Sequence, residues 1–350
     1  MAKNINNIIF GIIGVTYRCN AKCVMCNIWK HPTKKDVEFP SRILEKLPNI
    51  PVFNVTGGEP FLKEDLQDII DILKNKSERI VISTNGFLTD KILRFADKNK
   101  NIGIRVSIEG FPAANDKLRG LKNGFDKGLR TLIELKNMGF KDIGFGITVS
   151  GENTKDLLPL YNLATYLDLE FATAIVHNTY YFKKFDNVIS NKEAVANEFK
   201  KLLYKLLKSK SVKNWFRAYF NYGIINFIAG KPRLLPCEMG SSSFYLDPYG
   251  IIRPCNGRDE IMGNLNVQSF EEIWHSKKAA EVRELVKNCD KNCWMIGSVG
   301  ELMKKKIFVP INWIIRNKFL KKRDTERIIG SLIHNETRAG AESKVASIEN

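Results

Sequence analysis

Three cysteines on one short stretch, Cys19, Cys23 and Cys26, are the residues whose type and spacing most directly imply chemistry. Thiolates at x3 and x2 separations gather on one loop, and such soft donors suit zinc or an iron–sulfur cluster. A structural zinc site wants four ligands, and His31 is the only neighbouring candidate for the fourth. Three thiolates on a four-iron cluster would instead leave one iron open to a nitrogen and an oxygen of a small molecule. Two further segments add to this: Gly57-Gly58-Glu59-Pro60, whose glycines allow close backbone approach and whose carboxylate can meet an ammonium, and Ser83-Thr84-Asn85-Gly86.

The remaining four of the seven cysteines, Cys237, Cys255, Cys289 and Cys293, form a second group, and residues 27–236 hold none. An odd total argues against a simple disulfide set, and three plus four argues for two metal sites. Four protein thiolates close a site. Gly250, within Asp247-Pro248-Tyr249-Gly250, reads as the tight turn of a hairpin whose arms carry Cys237 and Cys255. A four-cysteine zinc knuckle is the alternative that the spacing also permits.

The elements that must position these residues alternate between short apolar runs and longer helical patterns. Strands are expected at Ile8–Thr16, Val52–Thr56, Arg79–Ser83, Ile102–Ile108, Ile143–Val149 and Phe171–Val176. Helices are expected near Ser41–Leu47, Glu64–Lys74, Asp90–Lys98, Phe125–Met138 and Thr154–Leu167, with caps at Thr89-Asp90 and Thr154 and a stop at Gly139. Alternating strands and helices mean parallel βα units, and right-handed winding lets six of them curl into a partial (βα)6 TIM-like barrel. Function gathers at the carboxyl ends of such strands, which is where the cysteine loop, Gly57–Pro60 and Asn85-Gly86 fall. The expected organisation is a barrel over 1–190, a helical linker over 191–233, a cysteine-rich domain over 234–299, a basic amphipathic segment over 300–334 and a disordered polar tail over 335–350.

These motifs, taken in order, resemble the radical S-adenosylmethionine superfamily. Gly14-Val15-Thr16-Tyr17-Arg18-Cys19-Asn20-x-x-Cys23-x-x-Cys26 resembles its cluster loop. Gly57–Pro60 resembles its GGEP motif, which contacts the methionine amino group. Ser83–Gly86 resembles the segment along the nucleoside, and Ser107-Ile108-Glu109-Gly110 with Asp116-x-x-Arg119-Gly120 resembles its SIDG and DxxRG segments. Glu109 stands where Asp is commoner, which leaves its role open. The resemblance implies that Cys19, Cys23 and Cys26 hold a catalytic 4Fe-4S cluster, with Gly57, Gly58, Glu59, Pro60, Ser83, Asn85 and Ser107 along S-adenosylmethionine. It also implies reductive cleavage to a 5′-deoxyadenosyl radical, hydrogen abstraction from a substrate, and an electron donor such as flavodoxin or ferredoxin.

The second cysteine group resembles the SPASM extension in its shortened, twitch form. Ile261-Met262-Gly263-Asn264-Leu265 and Phe270-Glu271-Glu272-Ile273-Trp274 also carry that likeness. It implies one auxiliary 4Fe-4S cluster on Cys237, Cys255, Cys289 and Cys293. Substrate is expected at the barrel mouth, with Glu109, Arg119, His177 and Tyr180 as candidate catalytic residues and Arg105 and Asn178 as further polar groups. Tyr181 and Phe182 read as packing.

Twitch-bearing relatives include amino-cyclitol dehydrogenases, so a sugar, cyclitol or lipid-linked glycan is the leading expectation for the substrate. A peptide-modifying maturase is the alternative, lowered because strand one begins within ten residues of the start and leaves no amino-terminal room for a leader-binding domain. The rival from another class is a zinc-stabilised protein that binds membranes or nucleic acid without catalysis.

A formal charge of +17 favours acidic partners, although a solvated lysine-rich surface would account for it equally. No RNA-binding motif accompanies the basic residues, so nucleic acid is not expected. No signal peptide and no run long enough to span a bilayer is visible, and a cytoplasmic protein is expected. Lys304–Arg323 holds eight Lys/Arg and no acid, interleaved with Ile307, Phe308, Ile311, Ile314, Ile315 and Phe319. That pattern suits peripheral contact with a membrane surface through residues 301–323.

Overall fold

The computed structural model describes residues 5–332. The tail expected over 335–350 lies outside the described residues. Five parallel strands form first: β1 (Phe10–Gly14), β2 (Val52–Thr56), β3 (Arg79–Thr84), β4 (Gly103–Ser107) and β5 (Ile143–Val149), with β6 (Glu170–Ile175) beyond them. Their order, β6-β5-β4-β3-β2-β1, is that of successive right-handed βα units, and the barrel is left open as a partial one. The strands are runs of Ile, Val and Phe because helices cover the sheet, so Ile13, Phe53, Ile82, Ile104 and Phe145 are fully buried.

The covering helices are α1 (Leu66–Lys74), α2 (Thr89–Asp97), α3 (Pro112–Arg119), α4 (Gly124–Asn137) and α5 (Leu157–Tyr166). Gly139 stops α4 at φ 86°, with its amide on the Lys136 carbonyl at 2.9 Å and the Phe140 amide on Leu135 at 3.1 Å. The helical stretch read near Ser41–Leu47 is present as a 3-10 helix over Ser41–Lys46, entered from Pro40. Other expectations need correction. Thr89 does not cap α2; its hydroxyl lies inside the fold on the Thr131 hydroxyl, 2.8 Å away. Thr154 begins a 3-10 turn and donates to the Ser150 carbonyl at 2.7 Å, so it caps nothing.

The hairpin read from Gly250 is present. β7 (Ser243–Leu246) and β8 (Ile251–Arg253) are antiparallel, and Gly250 turns at φ 81° with its amide on the Asp247 carbonyl at 3.0 Å. The sequence pattern did not reveal that β7 also pairs parallel to β1, with Phe10 opposite Ser243 and Ile13 opposite Leu246. A short β9 (Gly263–Asn264) completes a nine-stranded sheet. After it come α8 (Phe270–His275), started by a Ser269–Glu272 capping box, and α9 (Lys277–Lys287). Phe270 and Trp274 stack beneath Phe244 of β7.

Of the described residues, those up to Thr148 with Leu160–Asn187 and Cys237–Cys289 make one compact unit; Val149–Pro159, Val188–Pro236 and those from Asp290 onward make a second. The second is helical: α6 (Lys192–Lys208), α7 (Val212–Ile228), α10 (Ile296–Lys305) and α11 (Phe308–Ile314), which continues as a π-helix over Ile315–Phe319. Phe199, Leu202, Leu203, Leu206 and Leu207 form the buried face of α6. Gly223 of α7 admits Trp294: a Cβ there would lie 2.0 Å from the indole, whose Nε1 donates to the Phe220 carbonyl at 2.9 Å. Trp313 stacks on Tyr222 at 4.9 Å.

Candidate active site

The loop bearing Cys19, Cys23 and Cys26 leaves the end of β1 and is fastened at several points. The Lys22 and Val24 amides donate to the carbonyls of Arg119 (3.0 Å) and Leu118 (2.9 Å), at the carboxyl end of α3. Gly120 follows at φ 56°, and a Cβ there would come within 2.6 Å of the Lys22 carbonyl oxygen. The DxxRG segment thus requires glycine because the cysteine loop lies against it. On the other flank Arg18 holds Glu38 at 2.9 Å and Glu64 at 2.8 Å.

Gly57 and Gly58 also answer to the cysteine loop. A Cβ on Gly57 would meet the Thr16 carbonyl oxygen at 2.4 Å, and one on Gly58 the Arg18 carbonyl oxygen at 2.2 Å. The same segment bonds along that edge, Gly58 N to Thr16 O at 2.7 Å and Glu59 N to Arg18 O at 2.8 Å. The glycines therefore make room first for the main chain of the cluster loop.

Glu59 is wholly buried and joins two motifs. Its carboxylate accepts from Phe61 N (3.2 Å), Thr84 Oγ1 (2.7 Å) and Asn85 N (2.8 Å). Burial is the main influence on it and raises its pKa, with these donors acting against that. Asn85 in turn donates to Asn20 Oδ1 at 2.7 Å, inside the cysteine loop. Ser83 Oγ accepts from Asn54 Nδ2 at 3.1 Å. Ser107 ends β4 and is partly accessible.

Glu109 and Arg119 form a buried ion pair, Nη1 to Oε1 at 2.9 Å, and Glu109 Oε2 accepts from Thr148 N at 2.5 Å. Burial lifts the Glu109 pKa, and Arg119 is the chief opposing influence. Arg119 interacts electrostatically with Cys23, Glu109, Cys19 and Glu59, while its Nε is buried without a hydrogen-bond partner. It is the cation at the centre of this site.

Other candidates sit elsewhere. Arg105 is taken up by Asp142 on the amino-terminal side of β4. His177 is buried, with Nδ1 2.6 Å from the Ile175 carbonyl oxygen. Asn178 closes a turn on Asn187. Tyr180 lies between Arg253, which donates to its hydroxyl at 3.3 Å, and Lys183, whose Nζ is 3.8 Å from the ring centroid.

The donor set fits an iron–sulfur cluster. The three thiols share one loop, and Cys26 interacts electrostatically with Cys23 and Cys19. Burial pushes Cys19 up to about 11 and Cys26 up to about 12, and raises Cys23 also. Such thiols stay protonated until a metal replaces the proton. Of the second group, Cys237, Cys255 and Cys289 belong to the first unit and Cys293 to the second. Cys237 and Cys26 both pack against a buried cluster that includes Tyr17, Tyr181, Met239, Tyr245 and Cys255. The pairing of β7 with β1 brings them there.

Comparison with known proteins agrees. The radical SAM superfamily model matches residues 13–164, and the iron–sulfur cluster-binding SPASM model matches residues 237–294. The Fe-coproporphyrin III synthase of Methanosarcina barkeri is 35% identical over 162 residues, 43% of this chain and only 39% of that protein. The mycofactocin maturase MftC of Mycolicibacterium smegmatis is 27% identical over 286 residues, 77% of this chain and 71% of that one. The AdoMet-dependent heme synthase of Nitratidesulfovibrio vulgaris is 24% identical over 75% of this chain and 78% of its own. Among solved structures, Streptococcus suis SuiB superposes with a TM-score of 0.62 at 14% identity, covering 83% of this chain and 72% of that one. The structure anSMEcpe with bound AdoMet and Cp18Cys peptide gives 0.59 at 18% identity, covering 87% and 98%. Residues 13–164 therefore form a radical SAM domain and residues 237–294 an iron–sulfur cluster-binding SPASM domain, the domains that go with S-adenosylmethionine and 4Fe-4S clusters.

Proposed function

We propose that this enzyme modifies a peptide by hydrogen abstraction. The observation that carries the reading is the alignment with the mycofactocin maturase, which extends over 77% of the chain and so spans more than the barrel. The structural neighbours agree in kind, one bound to precursor peptide SuiA and one to the Cp18Cys peptide. The sugar, cyclitol or glycan substrate expected from the twitch likeness finds no support in these relatives. A tetrapyrrole is the second reading, because heme synthases align over 75% and 79% of the chain.

In this reading Cys19, Cys23 and Cys26 hold the catalytic cluster and Cys237, Cys255, Cys289 and Cys293 the auxiliary one. Gly57–Pro60, Ser83, Asn85 and Ser107 lie along S-adenosylmethionine. When bound, the cluster and S-adenosylmethionine together supply a 5′-deoxyadenosyl radical. The chain itself sets the electrostatics. Arg119 neutralises negative charge beside the cysteine loop, and Glu109 holds Arg119 in place. Glu59 locks the glycine motif to the end of β3. A one-electron donor of the flavodoxin or ferredoxin kind completes the system.

Deoxyadenosine release by the anaerobically reconstituted enzyme tests the substrate class. A pool of short synthetic peptides should raise release above the substrate-free level, with a mass change in one peptide. Stimulation by iron coproporphyrin III alone would favour the tetrapyrrole reading instead.

We also propose that residues 301–323 rest on an anionic membrane surface. Phe308, Ile315 and Phe319 share one helical face and are 82%, 45% and 58% exposed, while Trp313 and Ile314 are buried opposite them. Lys304, Lys305, Arg316, Lys321, Lys322 and Arg323 are exposed in the same stretch. A stretch that exposes both aromatics and cations complements an acidic headgroup layer. Among the described residues no helix is long and apolar enough to cross a bilayer.

A further inference from the structure

The turn after β6 touches three loops that the cofactors need. The Tyr181 hydroxyl donates to the Gly57 carbonyl and lies 3.1 Å from Thr56 Oγ1. The Tyr181 amide donates to the carbonyl of Asn256, the residue after Cys255, at 3.0 Å. The amide of Asn27, the residue after Cys26, donates to the Phe182 carbonyl at 2.8 Å, and Asn27 Nδ2 donates to the Lys183 carbonyl at 3.2 Å. One short segment therefore bonds to the first glycine of the GGEP motif, to the catalytic cysteine loop and to the auxiliary cysteine hairpin.

The segment is built to stay where it is. Thr179 and Lys184 form an isolated bridge, and the Phe182 amide bonds the Thr179 hydroxyl at 3.1 Å. Lys183 is held at φ 51°, a left-handed conformation that a lysine keeps only where its surroundings impose it. The Tyr181 ring contacts Tyr245 at 5.7 Å and Tyr17 at 6.5 Å. Burial raises the pKa of its hydroxyl, so it remains a donor. Gly57, at φ 150° and without a side chain, gains from Tyr181 an anchor its own residue cannot provide.

We propose that Tyr181 is a positioning residue for S-adenosylmethionine: its hydroxyl fixes the Gly57 carbonyl, and its main chain ties that carbonyl to the auxiliary cysteine hairpin. The proposal rests on the reading of Gly57–Pro60 as the methionine-binding loop. It also means that the Cys255 hairpin supports S-adenosylmethionine binding from a distance.

Equilibrium dialysis of labelled S-adenosylmethionine against the oxidised, reconstituted enzyme is the test. Tyr181→Phe keeps the ring and should weaken binding about 5- to 30-fold, as loss of one buried hydrogen bond would. Iron content should be unchanged, and the KM for S-adenosylmethionine should rise more than kcat falls. Incorporation of 4-aminophenylalanine at 181 should restore affinity because it keeps a para donor, whereas 4-fluorophenylalanine, similar in volume without a donor, should not. Equal affinity in Tyr181→Phe and the parent would overturn the proposal, as would rescue by the fluoro analogue. Failure of the parent itself to bind would instead sink the reading of the methionine loop.

Discussion

Arg119 Nη1 lies 2.9 Å from Glu109 Oε1, and both side chains are almost completely buried, with Arg119 interacting electrostatically with Cys19 and Cys23. The pair places one cation among thiols and two carboxylates in a low-dielectric site. Removing either partner strands a buried charge, which costs about 3–5 kcal/mol. Urea unfolding should therefore show Glu109→Ala and Arg119→Met each strongly destabilised, with the double variant less affected than the sum of the two. Additive losses would mean that the pair is not coupled.

Gly58 leaves no space for a side chain against Arg18. Gly58→Ala would push a methyl group to within 2.2 Å of the Arg18 carbonyl oxygen, so the cysteine loop must move. The expected result is a loss of about 2 kcal/mol or more in stability together with reduced iron loading. Normal loading with unchanged thermal stability would contradict the close packing of the two loops.

Asp142 carries the clearest pH signature. Burial raises its pKa, but Arg79 and Arg105 outweigh burial and bring it to about 2 from 3.8. A depressed carboxylate contributes stability that is complete above about pH 4 and disappears as pH falls through about 2. Allowing for its partial exposure, Asp142→Asn should cost about 1 kcal/mol at pH 7. That difference should vanish near pH 2 in the cluster-free protein. A cost independent of pH would assign the loss to packing.

The proposed membrane contact would depend on Phe308 and Phe319 together with the exposed lysines of the same stretch. Sedimentation with vesicles containing anionic phosphatidylserine should pellet the parent, and should do so less at high salt. Phe308→Ser with Phe319→Ser should reduce pelleting at least several-fold without altering iron content. Unchanged pelleting of the double variant, or equal binding to neutral vesicles, would remove the proposal.

The strands and the reactive loops were legible because their signals are local. A parallel strand is an unbroken apolar run, and a cysteine triplet is visible by spacing alone. The hairpin at Gly250 was legible for the same reason. The structure's other features depend on residues far apart in the chain. Nothing around Ser243–Leu246 announces that it will pair with Phe10–Ile13, yet that pairing brings Cys237 and Cys255 to the cluster that Cys26 packs against. α3 was missed because Pro112–Arg119 is short and polar, although Pro112 at its first position and Gly120 after its end mark it. Glu59 read as a ligand for an ammonium, and its three main-chain and side-chain donors emerged only with the fold. Tyr181 read as packing; its bond to Gly57 spans 124 residues and had no local signal.

The most direct measurement is made on the anaerobically reconstituted enzyme: iron and sulfide per chain, then 5′-deoxyadenosine after addition of a reductant and S-adenosylmethionine. Two four-iron clusters predict nearly eight irons and deoxyadenosine formation, with Cys23→Ala losing about four irons and all cleavage. Protein that binds no iron and forms no deoxyadenosine would contradict the account at its centre.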